Sequence, residues 1–263
     1  MAMERRNFPD CIPRTRRPGF ELTVLTLVHN EAGIIEEVVR EIHRKILSHL
    51  PGSELVVVED GSTDGTKEIL SRLKDELNFT LLMDDGKQGY TAALRQAFLA
   101  TRNRGEYIFF TDSDGQHDQE DFWKLHSLIG ESDMVIGVKE HRQDSWFRNT
   151  ISHVMNRIIV PWLFRVRLRD INCGFRILRK EVVDFLLEED WLFRDCVFSE
   201  LTLRAARSGF RITETPVRHS IRRSGTSSGL PTKKMPVILS RIGKNFLKLR
   251  REFSRKRMAV PPG

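Results

Sequence analysis

Cysteine is scarce in this 263-residue chain: there are three, Cys11, Cys173 and Cys196, scattered and without metal-ligand spacing. That excludes a disulfide framework and points to a reducing, cytoplasmic compartment. Long apolar runs are missing too. No stretch approaches the ~18–20 residues that a membrane-spanning helix needs. The opening residues, MAMERRNFPD, lack the apolar segment of a secretory signal. There is no internal repeat and no low-complexity tract. There is no G-x-G-x-x-G and no Walker loop, so neither a dinucleotide-binding nor a P-loop ATPase reading is supported.

What is present is a 40% apolar, 30% charged chain, long enough for one elaborated domain with a sizeable core. Its net charge of +7 is unevenly spread. Residues 1–17 carry net +3 and residues 218–263 net +12, which leaves the body between them at net −8. An acidic body with basic ends argues against a nucleic-acid domain and for a catalytic core that docks on something anionic. The expected organisation is a basic arm over 1–18, a catalytic domain over 19–229, and a basic amphipathic tail over 230–263 that docks on a membrane or a partner.

Strands and helices alternate through the first half. Leu22–Val28, Glu54–Glu59, Thr80–Met83, Tyr107–Thr111 and Asp133–Val138 read as strands, with helical stretches between them. Strands that are apolar on both faces and separated by helices imply an α/β fold. Its sheet would be mostly parallel, Rossmann-like, and covered by helices on both faces. Later, Asn149–Phe164 is amphipathic, with Ile151, Val154, Met155, Ile158, Ile159 and Trp162 on one broad face. The tail carries a second helical stripe of Ile238, Ile242, Phe246, Leu249 and Phe253, with Lys244, Lys248, Arg251 and Arg255 opposite.

In open α/β sheets, ligands bind beyond the carboxyl ends of the strands. Acidic clusters follow three of these strands: His29-Asn30-Glu31, Glu59-Asp60 and Asp112-Ser113-Asp114. Asp112 and Asp114 are two apart on an extended segment, roughly 6.5–7 Å along the chain on one side, and so can converge on one hard cation. Mg²⁺ or Mn²⁺ takes one or two carboxylates and completes its shell with phosphate oxygens and water. Gln116 and His117 follow and can add a ligand or a supporting contact. Glu59–Thr66 (EDGSTDGT) is a tight turn into a helix, with Asp64 or Thr63 as its N-cap. It places Asp60 in the crevice, ready to accept from ribose hydroxyls or a base N–H.

These motifs, with Lys87-Gln88-Gly89 before a helix and TDSDGQH over 111–117, come in the order and spacing that resembles family-2 glycosyltransferases of GT-A fold. The likeness runs on through Arg148…Asn156, Asp170–Arg176 (DINCGFR), Phe198-Ser199-Glu200, Glu214–Val217 and Arg222–Ser228 (RRSGTSS). That set resembles the dolichyl- or polyprenyl-phosphate sugar transferase branch. The resemblance covers about Leu22 to Gly229. It implies that Glu31 and Asp60 hold the nucleoside, with Lys87 in the donor site, and that Asp112, Asp114 and Gln116 organise the metal on the diphosphate. It further implies that Arg148 and Arg222 engage donor or lipid phosphates, while Asp170 and Arg176 shape the junction between sugar and acceptor. The usual Pro-Tyr before Asn-Glu is Val28-His29 here, a common Arg is Lys139, and Cys173 stands where Ser is usual. These departures leave base and sugar open.

The implied activity is a metal-dependent, inverting transfer from a nucleotide-sugar (GDP-mannose or a UDP-sugar) to a polyprenyl or dolichyl phosphate. Such an acceptor lives in a bilayer, so the chain is expected to be peripheral on the cytoplasmic face of a membrane. Its tail stripe would lie in the headgroup boundary over an anionic surface. The alternative buries that stripe on the body or a second subunit, and an oligomer or a membrane-spanning subunit are further partner candidates. A rival reading transfers to a sugar hydroxyl, with Asp170 or Glu200 as general base. A sugar nucleotidyltransferase and a non-enzymatic binding module are the more distant ones.

Overall fold

The computed structural model describes residues 21–140, 146–222 and 235–259. Its centre is a seven-stranded sheet with spatial order β3-β2-β1-β4-β6-β5-β7. The strands are β1 (Leu22–Val28), β2 (Glu54–Glu59), β3 (Thr80–Met83), β4 (Tyr107–Phe110), β5 (Met134–Glu140), β6 (Arg176–Arg179) and β7 (Ile212–Arg218). All seven residues of β1 are buried, because it has a parallel neighbour on each side and helices over both faces. The mostly parallel α/β sheet matches the sequence expectation. The one reversal is β6, antiparallel to β4 and β5, which it separates.

Helices α1 (Ile35–Lys45), α2 (Thr66–Leu77), α3 (Tyr90–Ala100) and α4 (Phe122–Leu128) are the crossovers of the first half. In α1 the apolar residues Ile35, Val38, Val39 and Ile42 recur at three- and four-residue steps and are the buried ones. The parallel register Val28↔Glu59 and Leu25↔Phe110 brings the carboxyl ends of β1, β2 and β4 to one edge of the sheet. The Asp170–Phe175 loop runs into β6 at that same edge, where Arg176 is opposite Phe110.

The second half comprises α5 (Trp146–Val154), a π-helical turn at Met155–Ile159, α6 (Val160–Phe164), α7 (Lys180–Glu188), α8 (Val197–Arg207) and α9 (Met235–Ala259). Here one expectation is corrected. The tail stripe does not face outward. Ile238, Ile242, Phe246 and Leu249 are at most 5% exposed and form a second core with Val160, Phe164, Ile171, Phe193 and Leu203. The amphipathic 149–164 segment covers only part of its broad apolar face. Asn156, Val160 and Phe164 are buried, while Val154, Ile158 and Trp162 of the broad apolar face are exposed. The π-helical turn, with its extra residue per turn, shifts the helix face between α5 and α6. No helix among the described residues is long and apolar enough to cross a membrane.

Candidate active site

A cavity of about 630 Å³ opens at the strand-end edge. It is lined by Glu31, Asp60, Lys87, Tyr90, Asp112, Asp114, Gln116, Lys139, Asp170 and Arg222, and on its apolar side by Ile151, Met155, Leu239, Ile242 and Phe246. Of the residues to which the resemblance gives donor, metal or acceptor roles, all but Arg148 and Arg176 therefore line this cavity, while His117 and Glu200 do not. Arg148 lies on α5 and its side chain is outside the described residues, as is the segment 223–234.

The EDGSTDGT turn is built by side chains that satisfy its backbone. Asp64 Oδ1 accepts from the Thr66 amide at 3.1 Å and its Oδ2 from the Ala32 amide at 3.1 Å, which ties the first two strand-end loops together; the N-cap of α2 is Gly65 in a left-handed conformation, not Asp64 or Thr63 as expected. Gly61 has φ +66°, and a Cβ there would sit 2.4 Å from the Lys87 nitrogen, so this turn tolerates only glycine. Asp60 lines the cavity, yet it accepts from the amides of Gln88 at 2.5 Å and Gly89 at 3.1 Å. It thus fixes the loop that carries Lys87, in addition to any contact with a ligand.

Glu31 is 7% exposed and receives the Arg222 guanidinium at 2.5 Å; the second Arg222 nitrogen lies 3.9 Å from Asp114. Burial raises the Glu31 pKa to about 7 against the pull of Arg222, and Asp114 and Asp64 raise it further. Asp112 is raised to about 6, chiefly by burial and then by the charge of Asp114, while Lys139 and the Tyr90 hydroxyl, at 3.4 Å, work the other way. Such a carboxylate pair is under-compensated by the protein itself and fits a divalent cation. Among the described residues there is no cluster of three or more His, Cys, Asp or Glu with metal-holding geometry. The Asp112 and Asp114 carboxylates are the number that an ion of the Mg²⁺ type takes when it fills the rest of its shell from phosphate and water. Gln116 donates from Nε2 to the Ser220 carbonyl at 2.9 Å, which leaves its Oε1 as the atom available for a cation. His117 is buried against Phe175, with Nε2 3.9 Å from Asp112, and burial holds it neutral.

The acid shift has a measurable consequence. A carboxyl whose folded pKa of about 6 exceeds its unfolded value stabilises the fold below the unfolded pKa of about 4, and that stabilisation is lost as pH rises through 6. The metal-free protein is therefore expected to lose this increment between about pH 4 and 6, on top of the loss that Glu31 adds up to about pH 7, and Asp112→Asn to shrink the step in a plot of denaturation midpoint against pH. Mn²⁺ affinity should rise over the same interval, because the cation and the proton compete for one carboxylate.

Gly174 is a site residue that the D-x-x-x-G-F-R pattern contained without revealing its job. A Cβ there would fall 2.6–2.9 Å from the Asp112 carboxyl atoms, so the backbone itself forms the wall behind that side chain. Gly174→Ala is expected to displace Asp112 and weaken Mn²⁺ binding on the order of tenfold while the fold persists, as read by calorimetry with nucleotide present.

Arg176 does not line the cavity. It is fully buried, with Nε donating to the Cys173 carbonyl at 2.8 Å, Nη1 to Thr202 Oγ1 at 2.9 Å, and its plane 4.3 Å from the Phe198 ring centroid. Burial lowers its pKa to about 10, which leaves it charged at neutral pH. It holds the 171–173 loop from behind the cavity wall. Cys173 is buried beside it, its thiol pushed up to about 12 by desolvation. Asp170 is 2% exposed and reaches the cavity; Glu214 holds its loop by accepting from the amides of Arg169 and Asp170. Glu200 is occupied elsewhere, accepting from the Leu192 and Phe193 amides and from Arg204, with no exposed surface. That removes it as a general base. Tyr90 was not singled out from the sequence, because an isolated aromatic residue carries no spacing signal; Lys139 and the stripe residues Ile151, Met155, Ile242 and Phe246 were noted there, but not as cavity lining.

An open α/β sheet, carboxylates at three adjacent strand ends and a cation-seeking pair facing a cavity define a nucleotide-sugar-dependent sugar transferase. The Glycosyl transferase family 2 profile matches residues 23–187, and the chain belongs to that family. Glycosyltransferase AglD of Haloferax volcanii is 32% identical over 222 residues, which are 78% of this chain and 35% of that protein. The chain thus spans about a third of that relative's length. Two solved structures share the fold. The mannosyltransferase PcManGT from Pyrobaculum calidifontis, in complex with GDP-Man and Mn²⁺, aligns with TM-score 0.59 and 19% identity over 98% of this chain and 80% of that one. Glucosyl-3-phosphoglycerate synthase from Mycobacterium tuberculosis, with Mn²⁺, UDP and phosphoglyceric acid, aligns with TM-score 0.65 and 16% identity over 89% and 79%.

Proposed function

We propose that this glycosyltransferase moves a sugar, with inversion, from a nucleotide-sugar to a polyprenyl or dolichyl phosphate, using Mg²⁺ or Mn²⁺ at Asp112 and Asp114. The observation that supports this reading best is the two-sided cavity. Its charged wall, from the strand ends, offers Lys87, Lys139 and Arg222 to phosphates. Its apolar wall, Ile151 from α5, Met155 from the π-helical turn and Leu239, Ile242 and Phe246 from α9, offers a surface to a hydrocarbon chain. An acceptor with an anionic head and an apolar body matches both.

Asp112, Asp114 and the Gln116 Oε1 would hold the cation, which when bound acts as a Lewis acid toward the leaving diphosphate. Glu31 and Asp60 face the nucleoside, and Asp170 borders the acceptor side. Arg222, paired with Glu31 and 3.9 Å from Asp114, is within the cavity to meet a phosphate. A phosphate acceptor is already anionic at neutral pH, so positioning by cations replaces a general base. The hydroxyl-acceptor alternative now rests on Asp170 alone. The two readings separate by nucleotide release. The phosphate reading expects nucleoside diphosphate to form at a substantial rate only when a prenyl phosphate accompanies the donor. Release driven instead by a free saccharide, and lost in Asp170→Asn, would favour the alternative. GDP-mannose is the first donor to try, with UDP-sugars next, since solved relatives hold GDP-Man or UDP.

A further inference from the structure

With the tail stripe buried, the apolar surface left over lies elsewhere. Val154, Ile158 and Trp162 occupy successive turns along α5, the π-helical turn and α6, and are 38%, 60% and 75% exposed. Trp162 lies under the guanidinium of Arg250, 5.6 Å from its ring centroid, and one turn before Arg250 on α9 Leu247 is 51% exposed. We propose that this face, shared by α5–α6 and the adjoining turn of α9, is a docking surface for an anionic lipid bilayer.

Charge selects that occupant. The 146–164 segment contains no Asp or Glu, and α9 contains only Glu252. Glu252 is already paired with Arg204, at 2.7 Å. Arg157, Arg165, Lys244, Lys248 and Arg251, on the same two helical segments or at their ends, are exposed. An amphipathic Trp stacked under Arg250, with exposed aliphatics beside it and cations on the same segments, suits the headgroup boundary of an anionic leaflet. A second copy of the chain would set cations against cations across a two-fold axis, which disfavours self-association through this face. The position also fits the site. Ile151 and Met155, on the same helix, and Leu239 and Ile242 of α9 line the cavity, so docking here brings its apolar wall to the membrane. The proposal rests on the lipid-phosphate reading for its purpose, but the test does not.

The test is co-sedimentation of the full chain with phosphatidylcholine vesicles containing one-quarter phosphatidylglycerol, with no acceptor present. Wild type should bind, and raised salt should weaken binding. Trp162→Ala combined with Ile158→Ser should weaken it on the order of tenfold or more, with an unchanged melting temperature, because both side chains are exposed in the free protein. The same variant should keep turnover on a water-soluble short-chain prenyl phosphate and lose it on acceptor embedded in vesicles. Wild type that fails to bind, or a double variant that binds equally well, overturns the proposal. So does a wild-type dimer that the variant dissociates without any change in vesicle binding. If no prenyl phosphate is ever glycosylated while the vesicle result stands, the acceptor reading falls and the docking surface remains.

Discussion

Asp114→Asn should lower turnover about a thousandfold and leave the fold intact. The amide retains an oxygen that can still accept from the Gln116 amide, the 3.1 Å bond that closes this turn, so local structure is kept. What disappears is the charge. A bound cation would then be held by Asp112 and Gln116 alone, and the developing negative charge on the leaving diphosphate would lose several kcal/mol of stabilisation, of which about 4 kcal/mol corresponds to a thousandfold. Removing Asp114 also takes away one cause of the raised Asp112 pKa. The pH at which residual Mn²⁺ binding appears should therefore move down. The check is steady-state turnover with and without EDTA, beside a thermal melt. Activity that survives both the chelator and the substitution would remove the metal from this account.

Phe246→Ala should destabilise the protein by about 3–5 kcal/mol, the usual cost of deleting a buried aromatic ring. Phe246 is 2% exposed and meets Phe164 and Phe193 edge-on, at 5.6 and 5.2 Å between centroids. The second core is small, so little around it can collapse into the void. Helix α9 is also tied by polar contacts. Glu252 pairs with Arg204, a 1%-exposed arginine that also binds Glu200 and Glu189, and Arg241 pairs with Asp195. A chain ending before Met235 would leave Arg204 short of one partner and uncover Val160, Phe164 and Phe193, and it should fail to fold cooperatively in denaturant titrations. A truncated chain with an unchanged midpoint would restore the tail to the role of a separate docking segment.

The first half was legible because its signals are local. Strands β1, β2 and β4 are short β-branched or aromatic runs, and Asp112-Ser113-Asp114 follows β4 after Thr111, so position and chemistry agree. The second half hides its structure in residues that look like surface. Strand β6 is four residues long with an arginine at each end, and Arg176 is buried only because the Cys173 carbonyl and Thr202 satisfy it. Strand β7 contains Glu214 and Pro216, which read as loop, yet Glu214 accepts from two backbone amides. For the two amphipathic segments, periodicity identified helices but not which side would be covered. A stripe such as Ile238 to Leu249 looks alike whether it meets lipid or a second core. The choice depended on Val160, Phe164 and Leu203, scattered over more than forty residues, and on a π-helical turn that shifts the exposed face of α5–α6. Glu31 shows the same limit, since its pairing with Arg222 joins residues 191 positions apart.

The most direct measurement of the central claim is mass spectrometry of the product. The full chain is incubated with Mn²⁺, GDP-mannose or a UDP-sugar, and a short-chain prenyl phosphate. The account predicts a prenyl phosphate heavier by one sugar residue, absent when EDTA is added or when Asp114→Asn replaces the wild type. An unmodified prenyl phosphate across the donor panel would contradict it, and so would a free saccharide added beside it that gained the sugar while the prenyl phosphate did not.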